Sequence, residues 1–107
     1  LVRRPYTIAP TVLVVNDYTI DVNRHKVTNK DGKQIYLTRK EFSLFECLTR
    51  EKGNLVTRGH IMEKVWNTDL NPLSNTLETH VRNLRLKLKD KKQRLIQTVQ
   101  GYGYRID

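Results

Sequence analysis

SNTLETHVRNLRLKLKD, residues 74–90, is the stretch from which the rest of the chain is read. Its apolar residues Leu77, Val81, Leu84 and Leu88 are spaced four, three and four apart. At about 100° per residue they fall within roughly 60° of arc, a narrow seam that predicts a helix with one face against a core. Thr79, Arg82 and Asn83 project from the opposite side, with His80 and Arg85 on the two flanks. Ser74 or Asn75 supplies an N-cap, and Glu78 lies in the first turn, where negative charge suits the helix dipole. Lys87, Lys89, Lys91 and Lys92 crowd the other end, where they suit the opposite pole and equally read as a solvated basic tail. Leu86 falls roughly opposite the seam, either as a single exposed apolar residue or as a contact to a neighbouring protomer.

Charge and size narrow what such a helix serves. The chain has 107 residues and a formal net charge of +9, enough length for one domain with a modest core. Residues 74–107 alone carry eight Lys and Arg against three acids. A basic face of this kind favours a polyanion, although charge alone equally describes a soluble surface. The single cysteine, Cys47, excludes a disulfide framework or a thiolate zinc cluster within the chain and fits a reducing compartment. No apolar run approaches the roughly 20 residues that span a bilayer, and no signal peptide is visible. The start at Leu1, without methionine, reads as a fragment or a processed product. His25, His60 and His80 lie far apart, and no pair has a metal-ligand spacing. Gly101 and Gly103 follow a turn rather than open a helix, so there is no phosphate loop. No enzyme, metal or cofactor is therefore expected. A small basic nuclease using His80 is the enzymatic alternative that remains.

Working outward, residues 1–10 read as a linker, and four strands are expected at 11–15, 18–22, 25–29 and 33–37. Turn formers separate them: Asn16-Asp17, Asn23-Arg24 and Lys30-Asp31-Gly32. Such close spacing favours an antiparallel meander with one face covered and one wet. Thr38 and Glu41 form a capping-box pattern that starts a helix over about 39–52. Leu37 and Phe42 stand at its staple positions, Phe42, Phe45 and Leu48 form its seam with Leu44 beside them, and Gly53 terminates it. Residues 54–56 form a short extended bridge. Thr57 caps a second helix over about 58–66, with Ile61, Met62 and Val65 inward. Residues 67–73 make a polar loop. Strands at 95–99 and 102–106, joined by Gln100-Gly101, close the chain as a hairpin. Tyr102 and Tyr104, two apart, are expected to share the hairpin face packed on the last helix.

Strands, helix, helix, loop, helix and hairpin make a helix-turn-helix followed by a wing. The residues that fill this order closely resemble the winged-helix effector domain of OmpR/PhoB-type response regulators over about 11–107. The resemblance rests on Leu37-Thr38 with Glu41-Phe42, on Val65-Trp66, and on Thr76-Leu77-Glu78-Thr79-His80-Val81 followed by Leu84-Arg85. It rests also on Thr98-Val99 with Gly101-Tyr102-Gly103-Tyr104-Arg105. Leu1-Val2-Arg3-Arg4-Pro5 looks like the end of a receiver domain and the start of its linker.

The resemblance implies an α+β fold: a four-stranded antiparallel sheet, three helices and a C-terminal hairpin wing. It implies that the third helix enters the major groove of double-stranded DNA while the wing reaches the adjoining minor groove. By position it assigns Thr76, Glu78, Asn83 and the wing-tip Gln100 to bases. Trp66, Asn75, His80, Arg82, Arg85, Thr98, Tyr104 and Arg105 are assigned to the sugar–phosphate backbone. Asp69, Leu70 and Asn71 fall in the loop that touches RNA polymerase. It further implies a cytoplasmic regulator with a receiver domain served by a sensor histidine kinase. That regulator is a weak monomer as an isolated domain and a head-to-tail dimer on direct-repeat sites.

Plainer readings stand beside these: Trp66 as a core anchor, His80 as a packed flank residue, Glu78 as support for the helix dipole. Two departures bear on specificity, since the family often has arginine where this chain has Asn83 and Gln100. Asn suits adenine and Arg suits guanine, so the matching base leans toward A·T. A wing tip without a guanidinium is less attracted to a narrow minor groove. The alternatives are a membrane-anchored one-component regulator with the same domain, and a winged helix serving only protein interaction.

Overall fold

The computed structural model describes residues 11–66, 76–90, 92 and 94–106. The readings that rest on 1–10, the loop 67–73, the caps Ser74 and Asn75, and Lys91 lie outside the described residues. Four strands, β1 (Val12–Val15), β2 (Tyr18–Asp21), β3 (Lys26–Thr28) and β4 (Gln34–Ile35), pair in chain order as an antiparallel meander. Alternation puts Val15, Ile20 and Val27 in the core and leaves Val12 and Val14 exposed, one covered face and one wet. The strands are shorter than expected; the second and third turns widen to 22–25 and 29–33, while Asn16-Asp17 keeps its two residues. Asn16 and His25 take positive φ (51° and 50°), and Asn29 Oδ1 accepts from the backbone of Asp31 and Lys33. His25, expected to open a strand, stands in a turn with its ring stacked on Phe42 at 4.7 Å.

The helix α1 (Arg39–Arg50) starts where its cap places it. Thr38 Oγ1 accepts from the Glu41 N–H at 3.3 Å, and the Glu41 carboxylate accepts from the Thr38 N–H at 3.0 Å. Two orphan donors are thereby satisfied. Phe42, Leu44, Phe45 and Leu48 are buried. The helix stops at Arg50, before the expected 52. Gly53 (φ 89°) then turns the chain, and its N–H donates to the Ile106 carbonyl at 2.6 Å.

The bridge expected at 54–56 is the strand β5 (Val56–Thr57), and it joins the hairpin strands β6 (Ile96–Val99) and β7 (Gly103–Ile106) in the order β5-β7-β6. Thr57 Oγ1 accepts from the His60 N–H, capping α2, which runs as an α-turn (Arg58–Ile61) and widens into a π-helical segment (Met62–Trp66). Ile61, Met62, Val65 and Trp66 all face the core. Lys40 from α1 donates to the Val65 carbonyl at 3.1 Å, satisfying an acceptor near the helix end.

The helix α3 (Thr76–Lys87) buries Leu77, Val81 and Leu84, with Leu88 just past its end, so the seam read from spacing is the seam that packs. Its last turn is tied to both neighbouring layers. Tyr18 of β2 donates to the Leu88 carbonyl, and Lys87 Nζ lies 2.6 Å from Glu41 Oε1 at the start of α1. The Asp90 carboxylate then accepts from the backbone N–H groups of Arg94, Leu95 and Ile96, launching the wing at a set angle. The result is an α+β winged helix-turn-helix: meander, three helices and a hairpin, around one core.

The expectation that Tyr102 and Tyr104 share a face is corrected. β7 begins at Gly103, so Tyr102 belongs to the turn after Gly101 (φ 81°) and is 66% exposed, whereas Tyr104 is buried. The period-two rule holds only between residues that are both in the strand.

Candidate nucleic-acid interface

α3 is held on its inner side by the seam and at both ends by hydrogen bonds, so its outer face is presented on a rigid support. Thr79, Arg82 and Leu86 are exposed there, and Asn83 is half-buried. Leu86, at 67% exposure, is the apolar member of an otherwise polar face. Arg82 forms no ion pair among the described residues, which leaves its charge available to an anionic partner.

The flanks are more occupied than their spacing suggested. His80 packs edge-on to Trp66, centroids 5.0 Å apart, and Lys40 Nζ lies 5.7 Å from the same indole. Trp66 is buried, so the core-anchor reading describes its place while it also backs His80. Arg85 points at the wing. Its Nε and Nη2 donate to the Ile96 carbonyl at 3.1 and 2.6 Å, and Nη2 donates to Thr98 Oγ1 at 2.8 Å. Its guanidinium also lies 5.8 Å from the Tyr104 ring. Burial lowers the Arg85 pKa, but an arginine remains charged throughout the accessible range. Arg105 Nη2 donates to Gln97 Oε1 at 3.1 Å across the hairpin. At the wing tip Gln100, Gly101 and Tyr102 are exposed.

Glu78 has a partner that spacing did not reveal. Arg58, first residue of α2, donates through Nε to Glu78 Oε2 at 2.7 Å and through Nη2 to Oε1 at 3.4 Å. That hydrogen bond, opposed by partial burial, holds the Glu78 carboxyl below its ordinary range. Beside the pair opens a cleft of about 310 Å³ between the start of α3 and the wing, lined by Arg58, Glu78, Thr98, Gln100, Tyr102 and Tyr104. The structure thus brings Glu78, Thr98, Gln100 and Tyr104 around one cleft, sets His80 on Trp66, and places Arg82 and Asn83 on the open face. Asn75, Asp69, Leu70 and Asn71 lie outside the described residues, as does the side chain of Thr76. Arg58 and Lys40 were missed. The one available signal was opposite charge at the starts of the two helices of a helix-turn-helix, twenty residues apart.

The family model for the C-terminal part of transcriptional regulatory proteins matches residues 32–106. The chain belongs to that family. It is of the OmpR/PhoB winged-helix type, the DNA-binding part of response regulators. The transcriptional regulatory protein PcoR of Escherichia coli is 39% identical over 105 residues, covering 97% of this chain and 46% of PcoR. The response regulator DrrB of Thermotoga maritima, an OmpR/PhoB homologue, superimposes with a TM-score of 0.79 at 30% identity, covering 90% of this chain and 44% of that one. The DNA-binding domain of the response regulator AdeR, solved with an intercistronic region, gives 0.74 at 26% identity, covering 88% and 97%. The chain spans about half the length of the curated relatives it matches. Among the described residues no helix is long and apolar enough to cross a membrane.

Proposed function

We propose that this domain reads a specific double-stranded DNA sequence as the output domain of a two-component response regulator that controls transcription. The observation that carries it is the outer face of α3, where Thr79, Arg82 and Asn83 stand on a helix locked to the core and to the wing. Lys and Arg supply a salt-sensitive attraction to phosphate, and α3 supplies the contacts to base edges. The AdeR DNA-binding domain, of the same fold, was solved in complex with an intercistronic region, which supports a DNA-binding reading of this domain.

In this reading Thr76, Glu78, Asn83 and Gln100 meet bases. Asn75, His80, Arg82 and Arg105 serve the backbone, and Trp66, Arg85, Thr98 and Tyr104 act at least in part by holding their neighbours in place. Selecting bound duplexes from a random pool tests it. We expect one enriched sequence with adenine at a position whose preference Asn83→Ala erases. Equal weakening at every base by Asn83→Ala would remove Asn83 from the reading set, and no enrichment at all would sink the function.

The whole protein, in this proposal, is cytoplasmic and joins the domain to a receiver that a sensor histidine kinase phosphorylates. The isolated domain is a weak monomer that pairs head to tail on direct repeats. Residues 67–73 contact RNA polymerase. Replacing Asp69 and Leu70 is expected to lower transcription in a reconstituted assay with DNA affinity intact, and parallel loss of both would refute the polymerase contact.

A further inference from the structure

Arg58 touches every element that faces DNA in the proposed reading. Its guanidinium holds Glu78 on α3, its own helix is α2, and its backbone N–H donates to the Tyr102 carbonyl of the wing turn at 3.0 Å. The Arg58 and Glu78 side chains are 38% and 43% exposed, and ion pairs as exposed as this contribute little net stability. What the pair changes is the charge on the surface. Without Arg58, Glu78 would present a bare carboxylate to a polyanion at the start of α3.

Resting on the DNA-binding reading above, we infer that Arg58 is a positioning residue for sequence discrimination: it neutralises Glu78 and orients its carboxylate to accept from the amino group of a cytosine in the major groove. A carboxylate offers about four lone-pair sites. Arg58 engages one oxygen closely and the other only at 3.4 Å, so acceptor capacity remains. Glutamate is suited to accept from cytosine N4, and a fork from arginine fixes the plane of the carboxylate in a way a lysine does not.

The test uses the full 107-residue chain and a selected duplex with its three substitutions at the position whose preference Glu78→Gln erases. Arg58→Met is expected to weaken binding to every duplex about tenfold at low salt, through unmasked like-charge repulsion. That deficit should shrink as salt screens it. The double variant Arg58→Met/Glu78→Gln should recover most of the affinity but not the preference. Arg58→Lys should keep the affinity and lose several-fold preference for cytosine. A double variant no tighter than Arg58→Met, with thermal melting unchanged, would make Arg58 a direct phosphate contact and overturn the inference. So would Arg58→Lys with undiminished preference, or a Glu78→Gln variant that erases none. Wild-type protein that prefers no duplex would instead overturn the functional reading itself.

Discussion

Gly103 sits where two strands come closer than a side chain allows. A Cβ there would stand 2.1 Å from the Val56 carbonyl oxygen, 2.9 Å from Thr57 Cα and 3.0 Å from the Arg58 nitrogen. All three are backbone atoms, so no rotamer change relieves the clash. Gly103→Ala is therefore expected to part β5 from β7 and lower stability by about 2–4 kcal/mol, read from the urea midpoint. A Cβ at Gly101 would meet nothing within 4 Å, which leaves only the positive φ of 81° as a cost, so Gly101→Ala should cost about 1–2 kcal/mol. The reverse ranking would contradict this account of the wing. In the sequence the two glycines look alike, and Gly101 was the one whose role could be read, since a turn is local. Gly103 answers to a strand nearly fifty residues away. Tyr102 and His25 were misplaced for a related reason: each lies one residue outside the strand it was expected to open.

Elements declare themselves through their ends. Thr38 and Glu41 started α1 in the sequence and start it in the structure, because a capping box is complete within four residues. What was not local is the second use of Glu41, which is buried and meets Lys87 from α3. Burial alone would push its carboxyl up. The hydrogen bonds and charge of Lys87, with those from Thr38, outweigh it, and the carboxyl titrates below its ordinary range. A depressed folded-state pKa contributes stability that is present above the unfolded value and is lost as pH falls through the folded one. Chemical denaturation as a function of pH should show this loss, and Glu41→Gln should flatten it. An unchanged pH profile in that variant would remove Glu41 from the acid sensitivity. The end of α1 and the widening of α2 were not legible. Gly53 is drawn to the Ile106 carbonyl, and Lys40 answers the Val65 carbonyl, both across long sequence separations.

For the whole molecule, the net +9 is the excess of 20 Lys and Arg over 11 acids. Arg24, Arg50, Arg58 and Lys87 stand in ion pairs with Asp21, Glu46, Glu78 and Glu41, which leaves that excess unchanged and fixes where it lies. Arg82, Lys89, Lys92 and Arg94 are exposed outside those pairs. If about five phosphates are neutralised, the logarithm of the binding constant should fall against the logarithm of salt with a slope near −4.5. A slope near zero in a titration would mean that charge does not drive binding.

The buried seam of α3, the meander, the cap of α1 and the order of elements followed from sequence alone, because periodicity, capping and turn chemistry act within a few residues. That α3 has a polar outer face was equally legible. Which of those polar groups are already engaged was decided only by the tertiary structure. Arg58 on Glu78, Arg85 on the wing and Trp66 under His80 are encounters between elements, and helical spacing predicts a side chain's direction but not its partner.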